Sequence, residues 1–482
     1  MPLTESEARS VAKDLLSVRR NECERLDKIR EYVRGDVCKI FLPKRHTAEY
    51  AQLVAMSLIN IMPLVISTFA QNLFIEGYRA GRKSQNAKAW ELWQVNRMDL
   101  LQSALFRTAI EYGLSYTTAL PAKLDGEQSA EFRLYSPRML TAVYDDVLVD
   151  EWPVYGLAVR AGYDKDKRKP VRRLTLLDDT HEIKMIAKVD QDDIDDAIEV
   201  GEHGMGVTPI VRWQSAGGDL DDQSRGEVEP LMPDQDSLNN TTFGLKSTER
   251  SQAFRQRYAT GLVAQLDENG NEIEPFTGGQ ARVWTSDSPD TRFGDFQESD
   301  LSGYLDSRQS TLRIITARAQ IAPYALQITD GISNLSADAL AALEAAQQRK
   351  IGEMKTSFGE AAEQLLRLAS KASGDDAGWK ERKAEVRWRD TESRSLAQLA
   401  DALGKMAQML GIPPRALWEL LPNVTDQQLQ RWDQLADREI GMERDDAGIM
   451  PPPDPEEMAE GATGVVPARR PRSARSPVPA GT

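Results

Sequence analysis

The sequence predicts an α+β chain, mainly helical, with a long spine helix and a mixed or antiparallel β region in its N-terminal half. Three observations lead there. From Val11 to Ile110, and again after Leu301, apolar residues recur at threes and fours, the helical period. Between Tyr116 and Trp213 the period falls towards two, the strand period. One helical pattern then runs from about Ser336 to Ala372, which at 1.5 Å per residue makes a helix about 55 Å long.

The elements follow in order. Over residues 3–34, Val11, Leu15, Val18, Cys23, Leu26, Ile29 and Val33 form one stripe, ended by Gly35. Residues 36–50 connect it to an uncharged stretch, Ala51 to Ile75. Length alone allows that stretch to cross a membrane. Its Gln52, Ser57, Asn60, Ser67, Thr68, Gln71 and Asn72, with Pro63 in the middle, argue instead for two buried or interface helices meeting at the proline. Residues 86–113 read as one amphipathic helix carrying Trp90, Trp93, Met98, Leu101, Leu105 and Ile110, with Gly113 as its stop.

Strands are predicted at 116–120, 130–135, 140–144, 154–160, 172–177, 183–189 and 209–213, with a hairpin turn at Asp125-Gly126. The acidic run Asp190 to Glu199 reads as a solvated loop. Val228 to Tyr258 is helical again but sparsely apolar, with Leu238, Leu245, Ala253 and Phe254. Such a helix buries little alone and suits packing against repeated neighbours or lining water.

A strand-like excursion follows over 261–266 and 281–284, turning at Glu268-Asn269-Gly270-Asn271. Next come an amphipathic segment (Leu301, Tyr304, Leu305, Leu312, Ile315), the break Ile321-Ala322-Pro323-Tyr324 and a polar loop from Gln327 to Asn334. Ser336 is the expected N-cap of the long helix, with Asp338 in its first turn and Gly374 just past its end. Its stripe is Leu340, Leu343, Ile351, Met354, Phe358, Ala361, Leu365, Leu368 and Ala372. A charged loop over 373–385 precedes helices near 393–410, 413–421 and 425–444. From Asp445 the chain is rich in Pro, Gly, Ala and Ser, the composition of a disordered tail.

A chain of 482 residues allows about two to four folding units. Its net charge of −15 argues against a broad basic face for nucleic acid, though an acidic surface that DNA slides past without sticking remains compatible. Two cysteines, Cys23 and Cys38, fit a reducing compartment. The first twenty residues are charged, so no signal peptide is expected.

No catalytic or ligand-binding motif is complete in the sequence, and no catalytic, cofactor or metal site is expected. Gly244-Leu245-Lys246-Ser247 lacks the Gly-Lys pair of a phosphate cradle, and Gly201 to Gly206 has the wrong glycine order for a dinucleotide. His181-Glu182 has Met185 where a second zinc ligand belongs. The cluster Asp190, Asp192, Asp193, Asp195 and Asp196 lacks the glycine and the closing glutamate of a calcium loop.

Two sets of basic residues remain: Lys246, Arg250, Arg255 and Arg257 on the 228–258 segment, and Arg308, Arg313 and Arg318 on the 301–318 segment. They are either a solvated face with ion pairs between neighbouring helices or positive spots beside a phosphate backbone. Gln327, Thr329, Asp330 and Asn334 are polar and not basic. They form a surface turn or touch DNA lightly. Taken alone, the residues also leave open a cytoplasmic enzyme of unknown type and a membrane-associated scaffold using residues 51–75.

The order of these elements, with Gly226-x-x-Glu229-Pro230-Leu231, the Ile321-Ala322-Pro323 break and Ser336-Ala337-x-Ala339-Leu340, resembles the portal proteins of tailed bacteriophages with long non-contractile tails. The likeness spans roughly residues 50–440; the family usually has Ser-Gly where Ser336-Ala337 stands. It implies a homo-oligomeric ring, usually of twelve subunits, at one capsid vertex, through which double-stranded DNA is packaged and ejected. It further implies a wing over 1–227, stem helices over 228–258 and 301–321, and a clip over 259–300. A tunnel loop would span 322–335, the spine 336–372, a crown 373–444 and a tail 445–482. The implied partners are the terminase large subunit, the capsid protein and scaffold, and a head–tail adaptor, with no membrane. The implied location is the virion, after assembly in the host cytoplasm. On this likeness Lys246, Arg250, Arg257, Arg308, Arg313 and Arg318 become candidates for the channel wall, and Gln327, Thr329, Asp330 and Asn334 for the tunnel loop.

Overall fold

The computed structural model describes residues 3–36, 40, 48–80, 87–124, 126–164, 168–188, 194–215, 224–253, 257–261, 289–295, 300–326, 337–389, 396–421, 424, 428–429 and 431–438. The chain divides into two units, Met1–Thr391 and Glu392–Thr482.

The first unit opens with α1 (Glu5–Arg34), capped by a reciprocal pair in which Glu7 N–H donates to Thr4 Oγ1 and Thr4 N–H donates to Glu7 Oε2. Gly35 closes the helix at φ +76°. One end of the helix buries Ala8, Ala12, Leu15 and Leu16, the other Leu26, Ile29 and Tyr32, so α1 serves two separate cores.

The uncharged stretch forms two helices, α2 (Ala48–Ser57) and α3 (Met62–Ala70), with Pro63 in the first turn of α3. Tyr50–Ala70 is long and apolar enough to cross a membrane by composition. Folded, it is broken between the two helices, and Met62, Val65, Ile66 and Phe69 lie in the main core.

After β1 (Ile75–Ala80), the single helix predicted over 86–113 is two: α4 (Ala87–Val95) and α5 (Met98–Tyr112). The chain turns at Arg97, φ +56°. Asn96 makes the turn worthwhile. Its side chain donates to the carbonyls of Leu92 and Ala130, each at 2.8 Å, and accepts from Phe132 N–H at 2.8 Å. A polar residue near a helix end thus outweighs the continuous apolar stripe.

The β region comprises β2 (Leu114–Leu124), β3 (Glu127–Tyr135), β4 (Leu140–Val143), β5 (Tyr155–Asp164), β6 (Lys169–Leu177), β7 (His181–Lys188), β8 (Ile194–Glu202) and β9 (Ile210–Gln214). It forms an antiparallel three-stranded sheet, β3-β2-β9, and a five-stranded antiparallel meander from β4 to β8. The predicted hairpin is present, with Leu124 opposite Glu127 and Gly126 at φ +91°. The acidic run is a correction, because Ile194–Glu202 is the edge strand β8. Aspartates depress strand propensity, yet Ile194, Ile198 and Val200 fall on alternate positions, and the backbone pairs along β7 at the edge of the sheet.

The main core gathers Trp93, Phe106, Trp213 and Phe358; the rings of Phe106 and Phe358 stack at 5.0 Å. Trp213 Nε1–H donates to Thr117 Oγ1 at 2.8 Å, which satisfies the indole inside that core.

The C-terminal part of the unit contains α6 (Met232–Ala253), β10 (Arg257–Thr260), β11 (Arg292–Asp295), α7 (Ser302–Ala319), α8 (Ala337–Ala372), α9 (Asp376–Lys380) and β12 (Ala384–Trp388). The long helix is present, at 36 residues about 54 Å. The expected N-cap Ser336 lies outside the described residues.

The charged loop predicted over 373–385 is a second correction. The chain forms α9, then β12 pairs antiparallel with β1 inside the first unit. Charge masked the strand. Ala384, Val386 and Trp388 alternate with Glu385, Arg387 and Arg389, and Glu76 pairs with both arginines at 3.2 and 3.3 Å.

At the end of the meander, His203 is held as a neutral ring. Met205 N–H donates to its Nδ1 at 3.2 Å, so Nε2 carries the proton and donates to the Asp178 carbonyl at 3.1 Å. Burial pushes the His203 pKa below its ordinary value, against the opposing pull of Asp178. The unfolded chain takes up that proton near about pH 6.5, the folded chain only at lower pH. The stability His203 confers is therefore full above that range and is lost as pH falls through it. His203→Asn should flatten the change in urea midpoint between pH 7.5 and pH 5.5; an unchanged dependence would exclude His203 as its source.

The second unit has α10 (Leu396–Leu410), α11 (Pro414–Leu417) and a helical segment over 431–438. Its apolar cluster is small: Leu399, Leu403 and Leu417, with Ala407, Ile412 and Leu421 against them.

Candidate functional site

The Gly-x-x-Glu-Pro-Leu motif joins the sheets to α6, and each of its residues has a packing reason. Gly226 passes the end of α5 so closely that a Cβ there would lie 2.2 Å from the Glu111 carbonyl oxygen. Gly113, at φ +96°, offers the reciprocal approach, since a Cβ on it would sit 2.6 Å from the Ser224 oxygen. The two backbones then bond directly, Glu227 N–H donating to the Ile110 carbonyl at 2.9 Å. Glu229 pairs with Arg25 of α1 at 2.6 Å, Pro230 lies within the 3-10 turn Glu229–Leu231 and Leu231 is buried in the main core. Gly226→Ala should destabilise the fold by at least about 1–3 kcal/mol, because the obstacle is backbone that cannot rotate away. The check is the urea midpoint of the variant, and an unchanged midpoint would show that the segment shifts freely.

From this anchor α6 runs beside α7. The upper part of α6 buries Gln235, Leu238, Asn239, Thr242 and Leu245, and α7 buries Thr311, Ile315, Thr316 and Ala319. The buried polar groups are used. Asn239 and Gln235 accept the N–H groups of Ile59 and Ile61 at 3.1 and 3.2 Å, satisfying the unwound backbone between α2 and α3. Gly244 sits under the Tyr304 ring, where a Cβ would approach a ring carbon to 2.7 Å. Tyr304, Leu305 and Ile314 are otherwise exposed on α7. The pair is thus an arm with a narrow core and a largely open perimeter.

The basic candidates separate on this arm. Arg318 of α7 pairs with Asp234 of α6 at 2.6 Å, an ion pair between neighbouring helices. Lys246 pairs with Glu249 one turn along α6 at 2.9 Å. Arg250 and Arg313 are exposed on α6 and α7. Arg308 is half-buried, and its Nε is buried with no hydrogen-bond partner among the described residues. Arg257 is not on the helix predicted over 228–258; α6 ends at Ala253 and Arg257 opens β10, which pairs with β11. Arg255, the strands expected within 262–288, and Gln327, Thr329, Asp330 and Asn334 lie outside the described residues.

The break after α7 is held by two residues the sequence reading missed. Gln320 turns the chain at φ +57°, and Ile321 and Ala322 are buried. Gln347 of α8 accepts the Ala322 N–H at 2.9 Å. Lys350 donates to Glu227 and to the Ala319 carbonyl, and its ammonium stands 5.1 Å from the centre of the Phe69 ring. Farther out, Tyr324 O–H donates to Glu344; burial first, and then that carboxylate, push the phenol up to about 12. The signal was available. The α8 stripe skips from Leu343 to Ile351, and Gln347 and Lys350 occupy the skipped positions of the same face.

Against known proteins, the family of phage portal proteins described as SPP1 Gp6-like matches residues 13–442. The chain belongs to that family. Among portal relatives, the portal protein of Mycobacterium phage L5 is 22% identical over 387 residues, covering 77% of each chain. That of Mycobacterium phage D29 is 23% identical over 389 residues, covering 77% of this chain and 78% of the relative. Among solved structures, a chain in the virion of a native gene transfer agent particle is 12% identical at a TM-score of 0.41, covering 80% of this chain and 94% of that one. A chain in the neck of that native particle, computed with C12 symmetry, is 11% identical at a TM-score of 0.42, with the same coverage.

The resemblance read from the motif order is therefore borne out at the level of a phage portal protein. In this portal chain the motif residues Gly226, Glu229 and Leu231 are structural: they fasten the root of the arm.

Proposed function

We propose that copies of this portal chain assemble into a ring, of twelve subunits, at one capsid vertex, and that double-stranded DNA passes through its channel during packaging and ejection. The α6–α7 arm carries the reading. Two adjacent helices with so few buried apolar side chains and exposed Tyr304, Leu305 and Ile314 gain most by packing against the same pair in neighbouring copies. On this reading α6 and α7 are the stem, and the ribbon β10–β11 is the root of a clip over 259–300. Residues 322–335 form the tunnel loop, with Gln327, Thr329, Asp330 and Asn334 towards DNA, and α8 is the spine behind it. The wing is 1–227 together with the β12 segment that pairs with β1, and the crown begins after Thr391.

Arg308, Arg313, Arg250 and Lys246 supply sparse positive charge along a wall of otherwise acidic subunits, each at −15. DNA is then guided without being held, because the repulsive field fades beyond about 8 Å in physiological salt. The chain performs no catalysis itself. The terminase large subunit and later a head–tail adaptor dock at the clip, the capsid protein and scaffold at the wing, and the protein ends in the virion after assembly in the host cytoplasm. Native mass measurement and negative-stain images of the purified protein test the ring. A closed ring with a central hole supports it, and a monomer at micromolar concentration overturns it.

A further inference from the structure

The loop between β4 and β5 is an ordered turn with an apolar tip. Leu148 and Val149 stand 60% and 78% exposed at its end. Single exposed apolar residues are ordinary; two in succession on an ordered turn are not. Asp146 orders the turn: its carboxylate accepts Leu148 N–H at 2.9 Å, and its carbonyl accepts Asp150 N–H at 2.9 Å. Asp150 closes it from the other side by accepting Asp146 N–H at 2.8 Å. The root is fixed as well. Arg212 of β9 donates to the Val147 carbonyl at 3.3 Å and lies over the Tyr144 ring. Glu151 pairs with Arg367 of α8 at 2.7 Å and with Arg382 at 2.8 Å. Val143 and Val154, joined by a backbone bond at 2.8 Å, add exposed apolar surface at the foot of the loop. The bonds thus hold two apolar side chains outward, where hydrophobic burial contributes nothing to the fold.

We propose that this turn is a docking knob for a folded protein other than this chain, one that offers an apolar socket rimmed by lysine or arginine. Shape and charge select that partner. The tip is convex and already ordered, so it suits a preformed concave surface. From Leu140 to Val159 every charged residue is an acid: Asp145, Asp146, Asp150 and Glu151. Glu151 is held by its two arginines, and the three aspartates flank Leu148 and Val149 in the chain. They repel phosphate, which turns away DNA and an anionic lipid surface. They also disfavour a second copy of a chain whose net charge is −15. Basic groups around an apolar pocket answer both features of the tip. The turn lies within the proposed wing, and its role rests on that reading, to which it adds the docking residues and the chemistry of their socket.

The test co-produces the full chain with the capsid protein as probe. A photo-crosslinking benzoyl-phenylalanine replaces Val149 or, as a control, Tyr163, which is exposed on β5. Illuminated heads should give adducts from position 149 to an apolar segment of the capsid protein beside lysine or arginine. Asp145→Lys should lower that yield by about tenfold or more, because like charges then meet at the rim. Leu148→Ser should lower it similarly while leaving the urea midpoint unchanged, since that side chain is exposed. Adducts from position 149 to another copy of this chain, adducts to a capsid segment without basic residues, or an unchanged yield in either variant overturn the proposal. Capsid adducts from position 163 with none from 149 overturn it while leaving the wing reading in place. No capsid adduct from either position overturns both.

Discussion

Replacing Gln327 to Asn334 with an equal-length Gly/Ser segment leaves rings assembled and reduces DNA packaging to background. The anchors on either side explain why assembly survives. Ala322 is held by Gln347, and the end of α7 by Lys350, both on α8 and both outside the replaced segment. On the proposed reading the loop meets DNA, so its loss acts on translocation and not on the fold. Native mass reports the ring, and nuclease-protected DNA in a packaging reaction reports function. Normal packaging by the replaced chain would end the tunnel-loop assignment, and loss of rings would show the segment to be structural.

The second large effect falls on Lys350. Its side chain and that of Glu227 are each only 14% exposed, and they form an ion pair across α8 and the segment leading to α6. Lys350→Met keeps most of the side-chain volume but leaves the Glu227 carboxylate buried without a cation and the Ala319 carbonyl without its donor. Breaking a buried pair from one side costs about 3–5 kcal/mol. The urea midpoint of the first unit should fall accordingly. Lys350→Met combined with Glu227→Gln should recover part of the loss, because no isolated charge then remains buried. Equal stability of Lys350→Met and the parent would mean that water reaches the pair and that α7 is fastened elsewhere.

Much of the fold was legible because period and stop signals agree locally. α1 with Gly35, the break at Pro63, the β2–β3 hairpin at Gly126 and the long α8 were read from neighbouring residues alone. The misreadings share a cause. Asn96, the acids around β8 and the charges in β12 are polar residues whose partners are remote in sequence: Phe132, β7 and Glu76. Local propensity had no access to those partners. The candidate site divides in the same way. Its arms were visible as one sparsely apolar helix and one short amphipathic segment, whereas the clamp of Gln347 and Lys350 showed only as a gap in a stripe.

Chain order and local pattern therefore carried the resemblance to the portal family and marked the arm helices, the long helix α8 and the motif Gly226-x-x-Glu229-Pro230-Leu231. Tertiary structure alone decided what that motif does, since the need for glycine arises from the carbonyl of Glu111, far away in the chain. It alone decided that β12 belongs to the first unit, that Arg318 is engaged with Asp234, and that Arg257 lies off the helix. The reason is physical. Period and capping act over a few residues, but the cost of a buried charge or an unmet backbone group depends on whatever the fold brings beside it.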